Sequence, residues 1–389
     1  MAGSSLPFMR NPAASGYFDF ILPTPVLFGP GMAERLPAEL RRRGLARVLV
    51  VTDRGVRTAG VLDPLLAGLD PAGVACYVWD GVVSNPDTDS VREGVEVAKR
   101  SRPDVLVAVG GGSTLDTAKA IAGCLAAGVA EVFALRGVKD LRASLPVFCL
   151  PTTSGTGSEV SYWVVITDRR THEKVSIGDP ALAPTLAVVD PLLTLSLPPR
   201  LTLWTGLDAL THAVEAFLST AASPLSDLLA KEAIALTVKS LSCAVDVGGD
   251  LGARGDMALA SLLAGAAMQH VGLGLVHAMS HQVGGFYDVH HGLANAILLP
   301  HVLKFNVPEC QDKIKTLDNL VESGEGFIEW LERLYEKYAL SGEEVEIKEE
   351  DIPTMAERAM ANVNAQTNPR RAGVQEITEL YRKSFKVVG

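Results

Sequence analysis

The chain has 389 residues, of which 48% are hydrophobic and 21% are charged, a composition typical of a globular protein long enough for two domains. Its 45 acidic and 35 basic side chains leave a formal net charge of −10. This charge argues against a nucleic-acid-binding function, which needs a basic surface.

The sequence shows neither the pattern of a secretory signal nor that of a transmembrane helix. Its first twenty residues lack the apolar core of a signal peptide. The stretch closest to a membrane span, Met257–Met279, carries Gln269, His270 and His277, and we interpret it as a buried helical region. The five cysteines are odd in number and form no CxxC pair, which is typical of a reducing compartment. We therefore expect a cytoplasmic protein with no membrane partner.

The first half of the sequence alternates predicted strands with predicted helices. Short apolar runs, most of them rich in valine, predict buried strands at Arg47–Asp53, Val74–Trp79, Val105–Val109 and Pro146–Leu150. Helical stretches lie between them, including Asp89–Ser101 and Thr114–Ala127. This alternation is typical of an α/β domain with a parallel, doubly wound sheet.

The pattern changes near Leu197, and strand signals vanish beyond it. Helical stretches are predicted at Leu203–Leu218, Pro224–Val245, Arg254–His270, Glu325–Tyr338 and Ile352–Asn362. The acidic segment Ser341–Asp351 is predicted to be a solvated loop before a helix. We therefore predict an α/β domain over residues 1–197 and an all-helical domain over residues 198–389.

Two polar loops that follow predicted strands have the composition of phosphate-binding turns. In Gly110–Ser113 the glycines let a phosphate approach the backbone, and the following helix offers free N–H groups at its start. The second loop, Thr152–Ser158, adds hydroxyls and further amides. Because Gly110–Ser113 lacks the GxGxxG pattern, it could instead be a tight strand-to-helix connection. Two such loops at strand carboxyl ends together favour a dinucleotide site.

Asp53 ends the first of the predicted strands. A carboxylate in this position can accept a hydrogen bond from a ribose hydroxyl and repel a 2′-phosphate, which favours NAD over NADP. Two alternatives remain open at this point. Asp53 could simply cap the following turn, and the neighbouring Arg54 could bind a phosphate.

Histidines are concentrated in the predicted helical half. Asp208 and His212 are four residues apart on a predicted helix and therefore share one face. His277 and His281 have the same spacing, and His291 follows shortly after them. One aspartate and up to three histidines supply the oxygen and nitrogen donors that bind divalent iron or zinc. Spacing alone leaves open whether His281 or His291 completes the set.

With these motifs the sequence resembles the iron-containing, or group III, alcohol dehydrogenases, which include lactaldehyde and 1,3-propanediol dehydrogenases. The resemblance runs over nearly the whole chain. It is carried by Ser84–Asp87 (SNPD), Gly110–Lys119 (GGGSTLDTAK), Pro151–Glu159 (PTTSGTGSE), Gly206–Phe217 (GLDALTHAVEAF), His277–Gly292 (HAMSHQVGGFYDVHHG) and Ala294–Val302 (ANAILLPHV).

The resemblance implies an N-terminal α/β domain and a C-terminal helical domain, with the active site in the cleft between them. It implies a metal bound by Asp208, His212, His277 and His291, with His281 facing the nicotinamide. It also implies cofactor contacts at Asp53, Asn85, Gly111, Gly112, Ser113, Thr152, Thr153, Ser161 and Lys174.

The activity that the resemblance implies is the interconversion of short primary alcohols or diols with their aldehydes. The hydride carrier would be NAD, with NADP as the alternative, and the metal iron(II), with zinc as the alternative. A homodimer or larger homo-oligomer is expected.

The expected mechanism is hydride transfer, with the metal acting as a Lewis acid on the substrate oxygen. Two roles stay open for His281, which either relays the proton or only packs against the nicotinamide. Two other functions remain as alternatives: another superfamily member such as glycerol dehydrogenase or dehydroquinate synthase, and a non-catalytic regulator that binds NAD or metal. The intact ligand positions and the DALTH and HHG segments favour an alcohol dehydrogenase.

Overall fold

The structure is a computed structural model, and it describes residues 18–138, 141, 144–171, 173–321 and 323–389. The first half contains eight strands: β1 (Val26–Phe28), β2 (Arg47–Asp53), β3 (Ala75–Val82), β4 (Val105–Gly110), β5 (Val147–Pro151), β6 (Trp163–Asp168), β7 (Glu173–Gly178) and β8 (Leu186–Val189). Six of them form a parallel sheet in the order β1-β8-β5-β4-β2-β3.

The sheet is buried on both faces, which explains the unbroken apolar runs of its central strands. All of β4 is buried, and its side chains alternate between two hydrophobic clusters. Leu106 and Ala108 belong to one cluster, and Val105, Val107 and Val109 belong to the other. The helices that accompany the sheet are α1 (Leu36–Arg42), α2 (Arg54–Thr58), α3 (Asp63–Leu69), α4 (Thr88–Ser101) and α5 (Gly112–Ala127).

The antiparallel pair β6 and β7 forms a second, two-stranded sheet that the sequence did not predict. The amide of Thr167 on β6 donates to the carbonyl of Pro86 at 2.8 Å. This contact brings the hairpin next to the Ser84–Asp87 segment, and it has consequences for the cofactor site described below.

The second half is mainly helical, as predicted, which confirms the fold class. Its helices are α6 (Pro199–Leu218), α7 (Pro224–Asp246), α8 (Leu251–Val271), α9 (Leu275–Tyr287), α10 (His291–Asn306), α11 (Gln311–Asp318), α12 (Phe327–Lys337), α13 (Ile352–Ala361) and α14 (Val374–Ser384). Two short strands, β9 (Glu346–Lys348) and β10 (Lys386–Val388), add a parallel pair to it. The prediction that Ser341–Asp351 is a loop is therefore wrong at Glu346–Lys348, which pairs with β10 and buries Ile347 between two exposed neighbours.

The chain divides into two compact units. One comprises Leu22–Leu203 with Ser240–Leu262, and the other comprises the described residues of Met1–Ile21, Trp204–Lys239 and Leu263–Gly389. Ser240–Leu262 joins the α/β unit although it is helical. Within that unit, buried Arg254 donates to the hydroxyl of Thr202 at 2.8 Å and to the carbonyl of Leu197 at 3.1 Å. The predicted boundary at residue 197 did not anticipate such long-range contacts, and it stays a prediction.

Among the described residues, no single helix is long and apolar enough to cross a membrane. Helices α8 and α9 pass this test only as a pair, by length and composition, and they are bent by 102° relative to each other. The stretch Met257–Met279 that we interpreted as a buried helical region thus spans the end of one helix and the start of the next. Its side chains are largely buried.

Lys119 is a fully buried cation on α5 that ties a long loop to this helix. Its ammonium group donates to the carbonyls of Ser158 and Ser161 at 3.1 Å each and to that of Trp163 at 2.6 Å. The carboxylate of Asp116 lies 3.0 Å away and accepts from the Ser158 hydroxyl. Because a buried charge is tolerated only when its hydrogen bonds are made, this cluster fixes the loop between β5 and β6.

We expect Lys119→Met to destabilise the protein by about 3–5 kcal/mol, because it leaves the carbonyls of Ser158, Ser161 and Trp163 without their buried donor and removes the cationic partner of Asp116. Lys99→Met, on the exposed face of α4, should change the stability by less than about 0.5 kcal/mol. Urea unfolding followed by circular dichroism measures both. Equal stability of the two variants would contradict the role given to Lys119.

Candidate metal centre and cofactor site

Four side chains of the helical unit bring one ligand atom each to a common point. Asp208 and His212 lie one turn apart on α6, His277 lies in the first turn of α9, and His291 begins α10. The four ligand atoms all lie within 4.8 Å of one another. The Asp208 Oδ1 is 3.8 Å from His212 Nδ1, 3.9 Å from His277 Nε2 and 3.7 Å from His291 Nε2. Asp208, His212 and His277 are buried.

Two glycines make this convergence sterically possible. A Cβ on Gly292 would lie 2.4 Å from the carbonyl oxygen of Trp204, so only glycine lets the start of α10 approach α6 this closely. A Cβ on Gly274, just before α9, would lie 2.7 Å from Glu215 Oε1. The glycine of the HHG segment is therefore required by the packing of the helices that carry the ligands.

Burial sets the protonation of the central histidine. The pKa of His277 lies well below its usual value because burial disfavours the charged ring, and His212 nearby lowers it further against the opposing effect of Asp208. His277 is therefore neutral near pH 7, which is the form that binds a metal. Its Nδ1 lies 2.6 Å from Glu215 Oε2. Burial also raises the pKa of Glu215, to about 7.

Asn295 provides a test of whether these residues fit a metal. Its Nδ2 lies 2.7 Å from Asp208 Oδ1, 3.0 Å from His277 Nε2 and 3.1 Å from His291 Nε2. An amide group has two hydrogens and cannot satisfy three acceptors at once. Its Oδ1 is buried and has no hydrogen-bond partner among the described residues. A carboxylate oxygen and ring nitrogens that can direct lone pairs at one point fit a cation, and one oxygen with three imidazoles suits divalent iron or zinc.

His281 lies beside the four converging atoms but is not one of them. It is buried one turn after His277 on α9, and its ring centre is 6.2 Å from that of His277 and 5.4 Å from that of His291. The spacing of the sequence left His281 and His291 equivalent as candidates. The fold places His291 with the other three, and the role of each side chain stays a prediction.

Sequence reasoning missed Glu215 and Asn295, although both lie in segments that carry the family resemblance. Glu215 is seven residues after Asp208, about two helical turns, so it shares a face of α6. Asn295 is four residues after His291 and shares a face of α10. Helical spacing from a predicted ligand was the signal that could have identified them.

In the α/β unit, the glycine-rich turn leads directly into α5. Gly111 is the residue before the helix, and no side chain of the described residues caps it. The amides at this helix start are therefore available to an anion. A Cβ on Gly112 would lie 2.4 Å from Thr156 Cγ2, and one on Gly111 would lie 3.2 Å from Thr153 Cγ2. The two predicted phosphate loops thus pack on each other, and this packing by itself favours glycine at position 112.

Asp53 uses its two carboxylate oxygens differently. Oδ1 accepts from the amide of Val56 at 3.0 Å and so caps α2, which was the structural alternative for this residue. Oδ2 accepts from the hydroxyl of Thr114 at 3.4 Å, in the first turn of α5. The cap therefore leaves one oxygen beside the helix start that would hold the pyrophosphate.

Three more predicted cofactor residues, Ser113, Asn85 and Lys174, are connected to this helix start by hydrogen bonds. The hydroxyl of Ser113 donates to the carbonyl of Ser84, next to Asn85 in sequence. Lys174, carried by β7, donates to Asn85 Oδ1 at 3.0 Å. The hairpin, which the sequence did not predict, thus positions the ammonium group of Lys174 next to the Ser84–Asp87 segment.

The remaining predicted contacts lie on the loop after β5. Thr152 donates its amide to the carbonyl of Gly110 at 3.0 Å, so this loop is fixed against the glycine turn. Thr153 faces Gly111, as described above. Ser161 is 1% exposed, and its hydroxyl accepts from the amide of Trp163 at 3.1 Å. The side chain of Ser161 is thus engaged within the protein, unlike the amides at the start of α5.

Two family models match the chain. The one described as iron-containing alcohol dehydrogenase matches residues 23–191, and the one described as the Fe-containing alcohol dehydrogenase family, C-terminal, matches residues 202–385.

Named relatives and a solved structure agree with these matches. The chain is 39% identical over 383 residues to 1,3-propanediol dehydrogenase of Citrobacter freundii, covering 95% of this chain and 99% of the relative. It is 36% identical over 380 residues to NAD-dependent methanol dehydrogenase of Bacillus methanolicus, covering 94% and 100%. A crystal structure of 1,3-propanediol oxidoreductase matches with a TM-score of 0.89 at 37% identity, covering 95% of this chain and 100% of that one. The chain therefore belongs to the iron-containing alcohol dehydrogenase family.

Proposed function

We propose that this protein interconverts short primary alcohols or diols with their aldehydes, using NAD as the hydride carrier and iron(II) as its metal. The observation that carries the proposal is the convergence of Asp208, His212, His277 and His291 on one buried point. Relatives named for 1,3-propanediol and methanol support the class of substrate, and one of them is named as NAD-dependent. Zinc suits the same donors, and the family favours iron.

The helical unit supplies the residues for metal and proton chemistry. A divalent ion held by the four side chains would supply Lewis acidity to the substrate oxygen. Asp208 contributes the one negative charge of the set, while the histidines bind through neutral rings. His281, which is buried beside the set, would accept or return a proton through an imidazole nitrogen.

The α/β unit supplies the residues for the cofactor. The free amides at the start of α5 would bind the pyrophosphate, since this helix end carries a partial positive charge. Asp53 Oδ2 would accept from a ribose hydroxyl and repel a 2′-phosphate, which favours NAD over NADP. Lys174 and Asn85 would bind a further polar part of the nucleotide. Predicted contacts from Gly111, Gly112, Ser113, Thr152, Thr153 and Ser161 complete this assignment.

We propose a cytoplasmic location and a homo-oligomeric state. The five cysteines are free, and three of them are buried, which suits a reducing compartment. Strand β1 lies at an edge of the sheet, and Phe28 at its end is 40% exposed. An exposed edge with an apolar side chain is a surface that a second copy can cover.

The proposed activity is tested with metal-free protein reloaded with iron(II) and assayed on methanol, ethanol, propanediols and their aldehydes with both nicotinamide cofactors. We expect turnover only after reloading, with a higher kcat/KM for NAD than for NADP. His212→Ala should abolish it because a ligand is lost, while His301→Ala, a histidine of α10 outside the four, should retain it. Full turnover by metal-free protein would contradict the metal-dependent mechanism, and preference for NADP would contradict the role of Asp53.

The separate roles of His277 and His281 predict two different kinds of loss. His277→Ala should give metal-poor protein, because it removes a bond to the ion. His281→Ala should keep its metal, lose roughly 10²–10⁴-fold in kcat, and change the pH–rate profile, as expected for a proton-transferring group. Elemental analysis and steady-state kinetics measure both. The reverse pattern of metal loss would reverse the assignment, and an unchanged rate in His281→Ala would show that this side chain only packs.

A further inference from the structure

Glu215 is a buried acid of α6 that touches one of the proposed ligands without being one itself. Its side chain is 6% exposed. Oε1 accepts from the amide of Val276 at 2.6 Å, and Oε2 lies 2.6 Å from His277 Nδ1. The two oxygens are thus fixed by groups on the first turn of α9, and the carboxyl has one orientation.

This contact determines which nitrogen of His277 is free. The carboxylate form of Glu215 accepts a hydrogen from Nδ1, which leaves the lone pair of the neutral ring on Nε2. Nε2 is the atom that lies 3.9 Å from Asp208 Oδ1 and 3.0 Å from Asn295 Nδ2. The geometry therefore turns the lone pair of His277 toward the other ligand atoms. Carboxylate partners of metal-binding histidines generally set the ring orientation in this way and strengthen the ligand.

Asn368 also satisfies an amide at the start of α9, so it can be compared with Glu215 to separate a structural role from a role at the metal. The amide of Leu275, also in the first turn of α9, donates to Asn368 Oδ1 at 3.1 Å. Glu215 and Asn368 thus both satisfy the start of this helix, and a Cβ on Gly274 would collide with both. The side chain of Asn368 forms hydrogen bonds with Asn306, Arg370 and Leu275. Of the two residues, only Glu215 contacts a proposed ligand.

We propose that Glu215 is a positioning residue of the metal centre, which holds His277 in the tautomer and orientation that present Nε2 to the ion. The proposal rests on the ligand set of the proposed function. It predicts that loss of Glu215 weakens metal binding because His277 is no longer held in place, and that this effect is separate from any loss of helix stability.

The test measures the dissociation constant of cobalt(II) by competition with a chelator, together with the visible absorption spectrum of the cobalt(II)-loaded protein. Glu215→Ala should weaken cobalt(II) binding roughly 10–100-fold and alter the spectrum. Glu215→Gln should fall between Ala and wild type, because an amide oxygen still accepts from Nδ1 but more weakly than a carboxylate. If the Ala variant does not fold, the Gln variant decides alone by the same two readouts.

Asn368→Ala is the matched control, since it removes the other acceptor at the start of α9. It should lower the thermal midpoint and leave the cobalt(II) dissociation constant unchanged. In a His277→Ala background, Glu215→Ala should cause no further loss of affinity, because its effect acts through the ring that has been removed.

Several results would overturn the proposal. Cobalt(II) binding and spectrum equal to wild type in both Glu215 variants would show that the residue only stabilises the helix. An equal loss of cobalt(II) affinity in Asn368→Ala would also show that Glu215 acts only through helix stability. So would a loss of affinity from Glu215→Ala that is as large in the His277→Ala background as in the wild type. Wild-type protein that binds no cobalt(II) would overturn the ligand set itself, and this inference with it.

Discussion

One amide nitrogen inside the helical unit, Asn295 Nδ2, lies within hydrogen-bond distance of Asp208 Oδ1, His277 Nε2 and His291 Nε2. Asp208 and His277 are buried, and lone pairs directed at one point are stabilised by a bound cation, so this arrangement fits a divalent ion. Much of the unit serves this convergence. Helix α6 provides Asp208 and His212 one turn apart, and Gly292 lets α10 approach α6 closely enough to bring in His291.

The α/β unit follows a different constraint, which is to keep a helix start open while fixing the loops around it. The amides before α5 are left without a side-chain cap among the described residues, although other helix starts, such as that of α4, are capped. Fully buried Lys119 holds the loop after β5, and the packing of Thr156 against Gly112 fixes that loop to the turn. These contacts would reduce the rearrangement needed if the proposed pyrophosphate binds at this helix start.

The fold class was predictable because the central strands are continuous apolar runs and the helices are long. The hairpin β6–β7 was not, since its alternation is irregular and no turn signal stands out. The segment of β9 was predicted to be a solvated loop because it is acidic, and Ile347 is the one residue of this strand that is buried. The assignment of Ser240–Leu262 to the α/β unit depends on long-range bonds such as those of Arg254, which leave no local pattern.

In the candidate site, too, local spacing predicted some residues, and contacts between helices determined the rest. Spacing four residues apart identified Asp208 with His212, and it left His281 and His291 unresolved because both lie near His277 in sequence. The two are distinguished by the fold, because α10 begins at His291 and brings this side chain to the other three ligand atoms. Glu215 and Asn295 were overlooked because their partners are on other helices, and the sequence records their spacing but not their neighbours.

The central claim is that one divalent ion sits at the meeting point of Asp208, His212, His277 and His291. Anomalous diffraction from crystals of the iron(II)-loaded protein, measured on both sides of the iron absorption edge, tests it directly. The account predicts a single strong peak in the helical unit, about 2.0–2.2 Å from one atom of each of the four side chains. A peak elsewhere, or ligation by His281 in place of His277 or His291, would contradict it.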